Sequence, residues 1–261
     1  MIEFDEPSTF PDVIRKWVIN RKDYFLQEVS INYHKNDIKI ALEDMYFYDI
    51  PGFEELFCKY KDNYFVGWHI TRIEDIERYR REGILTLNGK IEVGVKKLEY
   101  YLLERIHVDI NTFNQITDKA KYYWERDKGR TTKVYFYFTR AQTLNNARVM
   151  KFAENLGGEI LNWSLRAVDK DLYKEEPYQR LWVWGIPCRV KFRARLKDFD
   201  KRTQYDFVKQ IAIYYAMKEI YGADYHIECA GSKQGSVSPN DILQIDVIDD
   251  FTKVVSKNSI F

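Results

Sequence analysis

The chain has 261 residues, of which 45% are hydrophobic and 16% aromatic, enough to bury one large core. Its 41 Lys and Arg residues nearly balance its 40 Asp and Glu residues. The resulting formal net charge of +1 excludes an overall field that would recruit nucleic acid or an anionic membrane.

The cysteines and the N-terminal segment exclude further classes. The three cysteines are widely spaced and include no CxxC pair, which argues against a disulfide framework and a structural metal. The first residues are acidic where a signal peptide needs positive charge, and no apolar run approaches the roughly 20 residues of a membrane helix. We therefore predict a cytoplasmic protein with no membrane partner and no bound metal.

The first 63 residues differ from the rest of the chain in their sequence pattern. They combine a short helical segment with an acidic and aromatic stretch, and no linker or repeat separates them from residue 64 onward. We predict that residues 1–63 form an N-terminal helical elaboration packed on a core domain of residues 64–261. An insertion with helical parts is predicted near 162–184.

The first clear strand signal is YFVGWHI at residues 64–70, an aromatic and β-branched run. It leads directly into Thr71-Arg-Ile-Glu74, which matches the capping box that opens a helix. That helix is predicted to end at Gly83, because glycine is favoured just after a helix C-terminus.

The same arrangement occurs again at VYFYF, residues 134–138, where a buried strand precedes Thr139-Arg-Ala-Gln142. A helix is predicted from there to Gly157. Thr71 and Thr139 are therefore both expected to cap helices first, and to lie beside a ligand only secondarily.

The C-terminal half begins with strict alternation in CRVKFRARLK, residues 188–197, which predicts a strand with one apolar and one basic face. A long helix is predicted over residues 204–221. Two last strands, 225–229 and 242–248, are predicted on either side of a Gly/Ser/Pro loop. Short strands mixed with helices, without regular βαβ alternation, predict an α+β domain.

Three of the predicted strands end in a polar side chain, namely His69, Tyr137 and Glu228. Their order and flanking segments resemble the ADP-ribosyltransferase fold in its His-Tyr-Glu branch, over roughly residues 64–250. The first motif looks like the opening of the DNA-modifying ADP-ribosyltransferase toxins of toxin–antitoxin systems. The last resembles the family's catalytic Glu followed by a turn and a strand that opens with Pro-x-x-Ile. Where the family often has Gln or Glu two residues before this Glu, the chain has His226.

The resemblance implies an ADP-ribosyltransferase-like split β-sheet core with flanking helices, and NAD as the substrate that is cleaved. It implies that Glu228 is catalytic and that four residues bind the cofactor: His69, Thr71, Tyr137 and Thr139. A toxin or anti-phage effector of this kind also implies a nucleic-acid or protein acceptor and a possible antitoxin partner.

The chemistry of these side chains suits the implied reaction. Breaking the nicotinamide bond builds positive charge on the ribose, which the carboxylate of Glu228 would stabilise. A neutral His69 would offer a donor or acceptor to the ribose hydroxyls, and the ring of Tyr137 would offer a flat face to nicotinamide. Tyr135, on the same strand face, is the alternative ring.

Other acids near Glu228 are expected to matter less. Asp224 is one of them, Asp241 is expected to cap the turn at Pro239, and Asp246 is expected to point outward from its strand. Glu228 itself is predicted in a mostly apolar strand, where an ionised carboxylate is costly unless it serves a purpose.

The basic strand face is a candidate acceptor-binding surface. Side chains two apart on a strand lie roughly 6–7 Å apart, close to the spacing of backbone phosphates. A solvated strand face paired with acids of the insertion is the alternative. The candidate acceptor-binding residues are Arg189, Lys191, Arg193 and Arg195.

The sequence thus leaves three functions open. The leading hypothesis is a mono-ADP-ribosyltransferase that transfers ADP-ribose from NAD to a macromolecule. An RNA 2′-phosphotransferase shares the fold, and a non-catalytic module that reads nucleic acid through the basic strand belongs to another class. Nicotinamide release separates them, because only the transferase produces it from NAD without a 2′-phosphorylated RNA.

Overall fold

The computed structural model describes residues 1–32, 37–86, 99–105, 107–126, 132–145 and 185–248. The predicted insertion near 162–184 and most of the helix predicted up to Gly157 lie outside these residues. The described chain forms a five-stranded antiparallel sheet with flanking helices, which is consistent with the predicted α+β class.

The sheet has the order β4-β2-β1-β3-β5, so that the first strand in sequence is also the central one. β3 and β5 pair antiparallel, with Arg189 opposite Asp246 and an irregularity in register between Lys191 and Phe192. The strands are β1 (Tyr64–Ile73), β2 (Lys133–Tyr137), β3 (Ile186–Arg195), β4 (Ala230–Gln234) and β5 (Ile242–Val247).

The helices agree with the sequence where their start and stop signals are strong. The longest helix of the described residues, predicted over 204–221, spans Lys201–Ile220. It starts three residues earlier because the Asp200 side chain accepts a hydrogen bond from Thr203 N. The helices are α1 (Asp12–Ile19), α2 (Lys22–Asn32), α3 (Ile38–Asp44), α4 (Phe53–Tyr60), α5 (Ile76–Glu82), α6 (Ile110–Arg126), α7 (Gln142–Asn145) and α8 (Lys201–Ile220).

The chain divides into two compact units. The first comprises Met1–Gly67, Tyr137–Thr139 and Arg193–Ser232, and the second comprises Trp68–Phe136, Arg140–Phe192 and Lys233–Phe261. The residues predicted as an N-terminal elaboration therefore share a compact unit with α8.

An aromatic cluster around Phe207 of α8 forms the core of the first unit. The Phe207 ring stacks on Phe138 at a centroid distance of 4.2 Å and contacts Phe65 at 4.4 Å. Phe4 and Phe199 complete the cluster, at 5.2 and 5.0 Å from Phe207. The N-terminal segment therefore contributes directly to this core, and Ile2 also forms a parallel bridge with Phe65 at the start of β1.

The core of the second unit lies on the apolar face of β3. Cys188, Val190 and Phe192 are fully buried, as the alternating pattern predicted, and Phe192 meets Phe136 of β2 edge to face at 5.3 Å. All three cysteines of the chain lie in described segments, and none forms a disulfide.

Gly83 ends α5 in a backbone conformation that requires glycine. Its φ of +77° lies in the left-handed region, and a Cβ atom there would clash with the carbonyl oxygen of Val237 and lie 2.9 Å from Pro239 N. Gly222, which follows α8, has a similar φ of +63°, but a Cβ atom there would meet nothing within 4 Å.

We expect Gly83→Ala to lower the free energy of unfolding by about 1–3 kcal/mol more than Gly222→Ala does. Both substitutions carry the conformational cost of a positive φ, so the difference between them reports the clash with Val237. Chemical denaturation of the two variants measures it. Equal losses in both would contradict the close approach of Gly83 to Val237.

Candidate active site

Glu228 lies in the first unit, in an extended segment that precedes β4. Tyr225 and Ile227 are buried whereas His226 and Glu228 are exposed, so the segment alternates as a strand does. The predicted strand at 225–229 is nevertheless wrong, because the ladder with β2 begins only at Ala230. The carboxylate of Glu228 is therefore exposed, and the expectation that it sits in an apolar strand is corrected.

Tyr225 anchors the segment that carries Glu228. Its hydroxyl oxygen lies 2.6 Å from Gln210 Oε1 on α8 and 2.9 Å from a carboxylate oxygen of Glu43 on α3. Burial, together with the nearby Glu43, raises the pKa of Tyr225 well above its ordinary value, so the phenol stays protonated and can donate. This hydroxyl therefore fixes the backbone three residues before Glu228.

Cys229 follows Glu228 and is not suited to act as a nucleophile. Burial, reinforced by the charge of Asp206, raises the pKa of its thiol to about 12. The Cys229 thiol is therefore protonated at neutral pH and offers no negative charge beside the carboxylate of Glu228.

The end of β2 lies against this segment within the first unit. Phe138 N donates a hydrogen bond of 3.0 Å to the carbonyl oxygen of Cys229. This bond places residues 137–139 beside the backbone that carries Glu228. Tyr137 is half-buried while Phe138 is fully buried, so the Tyr137 ring lies on the opposite side of the strand from the phenylalanine core.

Thr139 does not take the capping position that the sequence predicted. α7 begins at Gln142, and the Thr139 side chain is buried two residues before the position that would cap it. Tyr135, the alternative aromatic ring, is exposed on β2. Of the two tyrosines, Tyr137 is the one that belongs to the same compact unit as the Glu228 segment.

His69 and Thr71 belong to the part of β1 that lies in the second unit. His69 Nδ1 lies 2.7 Å from the carbonyl oxygen of Tyr135. Because a carbonyl oxygen can only accept, Nδ1 carries the proton. A neutral His69 ring therefore presents Nε2 as a hydrogen-bond acceptor.

Thr71 is a strand residue and not a helix cap. β1 continues through Thr71 to Ile73, and Asp75 caps α5 instead, accepting hydrogen bonds from Glu77 N at 2.9 Å and Arg78 N at 3.1 Å. Thr71 forms a side-chain hydrogen bond with Tyr79, whose pKa burial raises to about 12. The helix start was therefore predicted four residues too early, because sheet pairing extends β1 and moves the cap from Thr71 to Asp75.

The four basic residues predicted on one face of β3 differ in their surroundings and exposure. Arg193 and Arg195 lie in the first unit with their guanidinium carbons 5.1 and 5.5 Å from the ring centre of Tyr64. Lys191 and Arg189 lie in the second unit, and Arg189 is only 6% exposed. Arg189 is therefore not the surface cation that the sequence predicted. Across the sheet, its Nη2 atom lies 4.0 Å from Oδ2 of Asp246.

Two acids near the C-terminus also differ from expectation. Asp246 does not point freely outward, since its side chain is only 15% exposed and lies 3.3 Å from Arg140 Nη2. The turn at Pro239 is capped by the Ser238 hydroxyl, which accepts from Asn240 N, and not by Asp241. Sequence reasoning passed over Arg140 even though it lies inside the Thr139-to-Gln142 motif, because its partner is about a hundred residues away.

Within the described ranges, no group of three or more His, Cys, Asp or Glu side chains could hold a metal ion. No helix in that same part of the chain is both long enough and apolar enough to cross a membrane.

No family model, curated protein or solved structure matches the chain. The function must therefore be inferred from the residues themselves and from their placement.

Proposed function

We propose that the chain is a mono-ADP-ribosyltransferase that cleaves NAD and transfers ADP-ribose to a nucleic acid or protein. The hydrogen bond from Phe138 N to Cys229 O carries this proposal, because it holds the Tyr137 strand end beside the segment of Glu228 in one compact unit.

The proposed roles follow from what each side chain offers. The exposed carboxylate of Glu228 binds a ribose hydroxyl and stabilises the positive charge that develops at ribose C1′. His69 accepts from a ribose hydroxyl through Nε2, while Nδ1 is held by Tyr135 O. The ring of Tyr137 stacks on nicotinamide. The carbon–nitrogen bond breaks with its electron pair on nicotinamide, and the acceptor attacks C1′ and loses a proton.

The resemblance to ADP-ribosyltransferase toxins extends the proposal to a cytoplasmic toxin or anti-phage effector that an antitoxin would restrain. Thr71 and Thr139 have lesser roles in it. The Thr71 hydroxyl already bonds Tyr79, and Thr139 is buried, so both support the strand ends rather than the reacting atoms.

The direct test incubates the purified chain with NAD and measures nicotinamide release by chromatography. The incubation is done with and without cell lysate, which supplies the acceptor. We expect nicotinamide to be released, and we expect mass spectrometry to detect ADP-ribose attached to the acceptor. Release only with 2′-phosphorylated RNA would favour the phosphotransferase, and no release in any mixture would favour a binding module.

We expect His69→Ala and Tyr137→Ala each to lower kcat/KM for NAD about tenfold. Each removes one positioning contact, worth about 1.4 kcal/mol. Titration of NAD against the purified variants measures the loss. Tyr135→Ala is the matched control, because it removes an exposed tyrosine ring from the same strand. A loss in Tyr135→Ala with normal kinetics in Tyr137→Ala would assign the stacking ring to Tyr135.

A further inference from the structure

Arg189 is a buried cation whose hydrogen-bonding capacity is largely unused. Its side chain is 8% exposed, and among the described residues neither Nε nor Nη1 has a hydrogen-bond partner. Its nearest carboxylate, Asp246, lies 4.0 Å from Nη2, beyond hydrogen-bond distance. Burial of guanidinium donors without partners is costly, so this arrangement calls for an explanation.

Asp246 and Arg140 are charged neighbours of Arg189 in the second unit. Asp246 lies directly opposite it in the register of β3 and β5, and Arg140 Nη2 donates to the same carboxylate at 3.3 Å. Lys191 Nζ and the guanidinium carbon of Arg140 lie 5.5 and 6.0 Å from the ring centre of Trp68. We call Arg140, Arg189 and Lys191 the Arg189 cluster.

Asp246 satisfies this cluster only in part. Both arginines face Oδ2 of Asp246, and Arg140 is the closer, at 3.3 Å against 4.0 Å for Arg189. Oδ1 of Asp246 accepts a hydrogen bond from Gln244 Nε2 at 2.5 Å. Burial and the like charge of Arg140 hold the pKa of Arg189 below its ordinary value, but a guanidinium remains charged in proteins. The N–H groups on Nε and Nη1 of Arg189 have no acceptor among the described residues, and each can donate to an anion oxygen.

We infer that the Arg189 cluster is a binding site for a phosphate group, which replaces Asp246 as the partner of Arg189. Arg140 is the solvent-facing member, with a side chain that is 51% exposed, so an incoming anion meets it first. A tetrahedral phosphate offers enough acceptor oxygens to engage both arginines and the lysine at once. The phosphate comes from a dinucleotide or from a nucleic-acid backbone.

The test measures binding of inorganic pyrophosphate by calorimetry at constant ionic strength. We expect saturable binding to the wild-type chain, about tenfold weaker in Arg140→Gln and in Lys191→Gln, because each variant removes one charge-assisted contact. Asp246→Asn is expected to bind more tightly, since it removes the competing carboxylate. Arg80→Gln is the matched control, an exposed arginine of the same unit that also pairs with an acid.

Absence of saturable binding to the wild-type chain would overturn the inference. So would equal affinities in Arg140→Gln, Lys191→Gln and Arg80→Gln, because binding would then reflect net charge alone. Arg189→Gln is left out of this set because a change at a buried position can disturb folding.

Repeating the titration with ADP and with a short single-stranded oligonucleotide distinguishes a dinucleotide phosphate from a nucleic-acid backbone phosphate. Binding of ADP that weakens in Arg140→Gln assigns a dinucleotide phosphate. Binding of the oligonucleotide alone, with the same sensitivity, assigns a backbone phosphate. Because these measurements contain no NAD, they succeed or fail independently of NAD cleavage by Glu228.

Discussion

Replacing Glu228 with Gln is expected to lower the rate of nicotinamide release by about 10² to 10³-fold. The substitution keeps the volume of the side chain and its hydrogen-bonding reach, but it removes the negative charge that meets the developing ribose cation. The side chain is exposed, so folding should be intact, and NAD binding should change little. Nicotinamide release at saturating NAD measures the effect.

Asp224→Asn is the matched control for this variant. Asp224 is also exposed and lies in the same segment, four residues before Glu228, so its amidation removes the same charge from nearly the same place. We expect it to retain most of the activity. Wild-type release by Glu228→Gln would remove the centre of the proposed function, whereas equal losses in both variants would point to the net charge of the segment.

Asp246→Asn is not a suitable control, although the sequence predicted that Asp246 matters less than Glu228. Asp246 pairs with Arg140 and Arg189, so its amidation changes the charge of the Arg189 cluster.

Phe207→Ala is expected to lower the free energy of unfolding by about 3–5 kcal/mol, the largest effect on stability that we predict. The ring is fully buried and stacks on Phe138 at an interplanar angle of 10°, so its removal leaves a cavity among aromatic rings. Urea denaturation followed by circular dichroism measures the loss.

Ile40→Ala provides the comparison in the same unit. Ile40 is an apolar residue of α3 that is 54% exposed, so its truncation leaves no cavity and should change stability by about 0.5 kcal/mol or less. A loss in Phe207→Ala as small as that in Ile40→Ala would contradict the placement of Phe207 at the centre of the first unit.

The N-terminal residues are part of the architecture that supports Glu228. Phe4 contributes to the cluster around Phe207, and Glu43 contacts the Tyr225 hydroxyl three residues before the proposed catalytic carboxylate. Lys209 of α8 donates to the carbonyl oxygens of Glu43 and Met45, which holds the end of α3 against that helix. The segment is therefore a structural support and not a separable addition.

Local patterns in the sequence were sufficient where a segment's own residues decide its conformation. The alternation at residues 188–196 predicted β3 and its buried face, and the capping chemistry at Asp200 with the apolar positions after it is consistent with α8. Gly83 marked the end of α5 because a positive φ is a local requirement. The α+β class followed from the mixture of these elements.

Only the tertiary structure decided where strands end and which charges meet. β1 continues through Thr71, and β4 forms at residues 230–234 instead of 225–229, because the ladder depends on a partner strand and not on β-propensity alone. The burial of Arg189 depends on the β3–β5 register, which sets it opposite Asp246 across more than fifty residues of chain. Such pairing energies arise between residues distant in sequence, so no periodicity within either segment could reveal them.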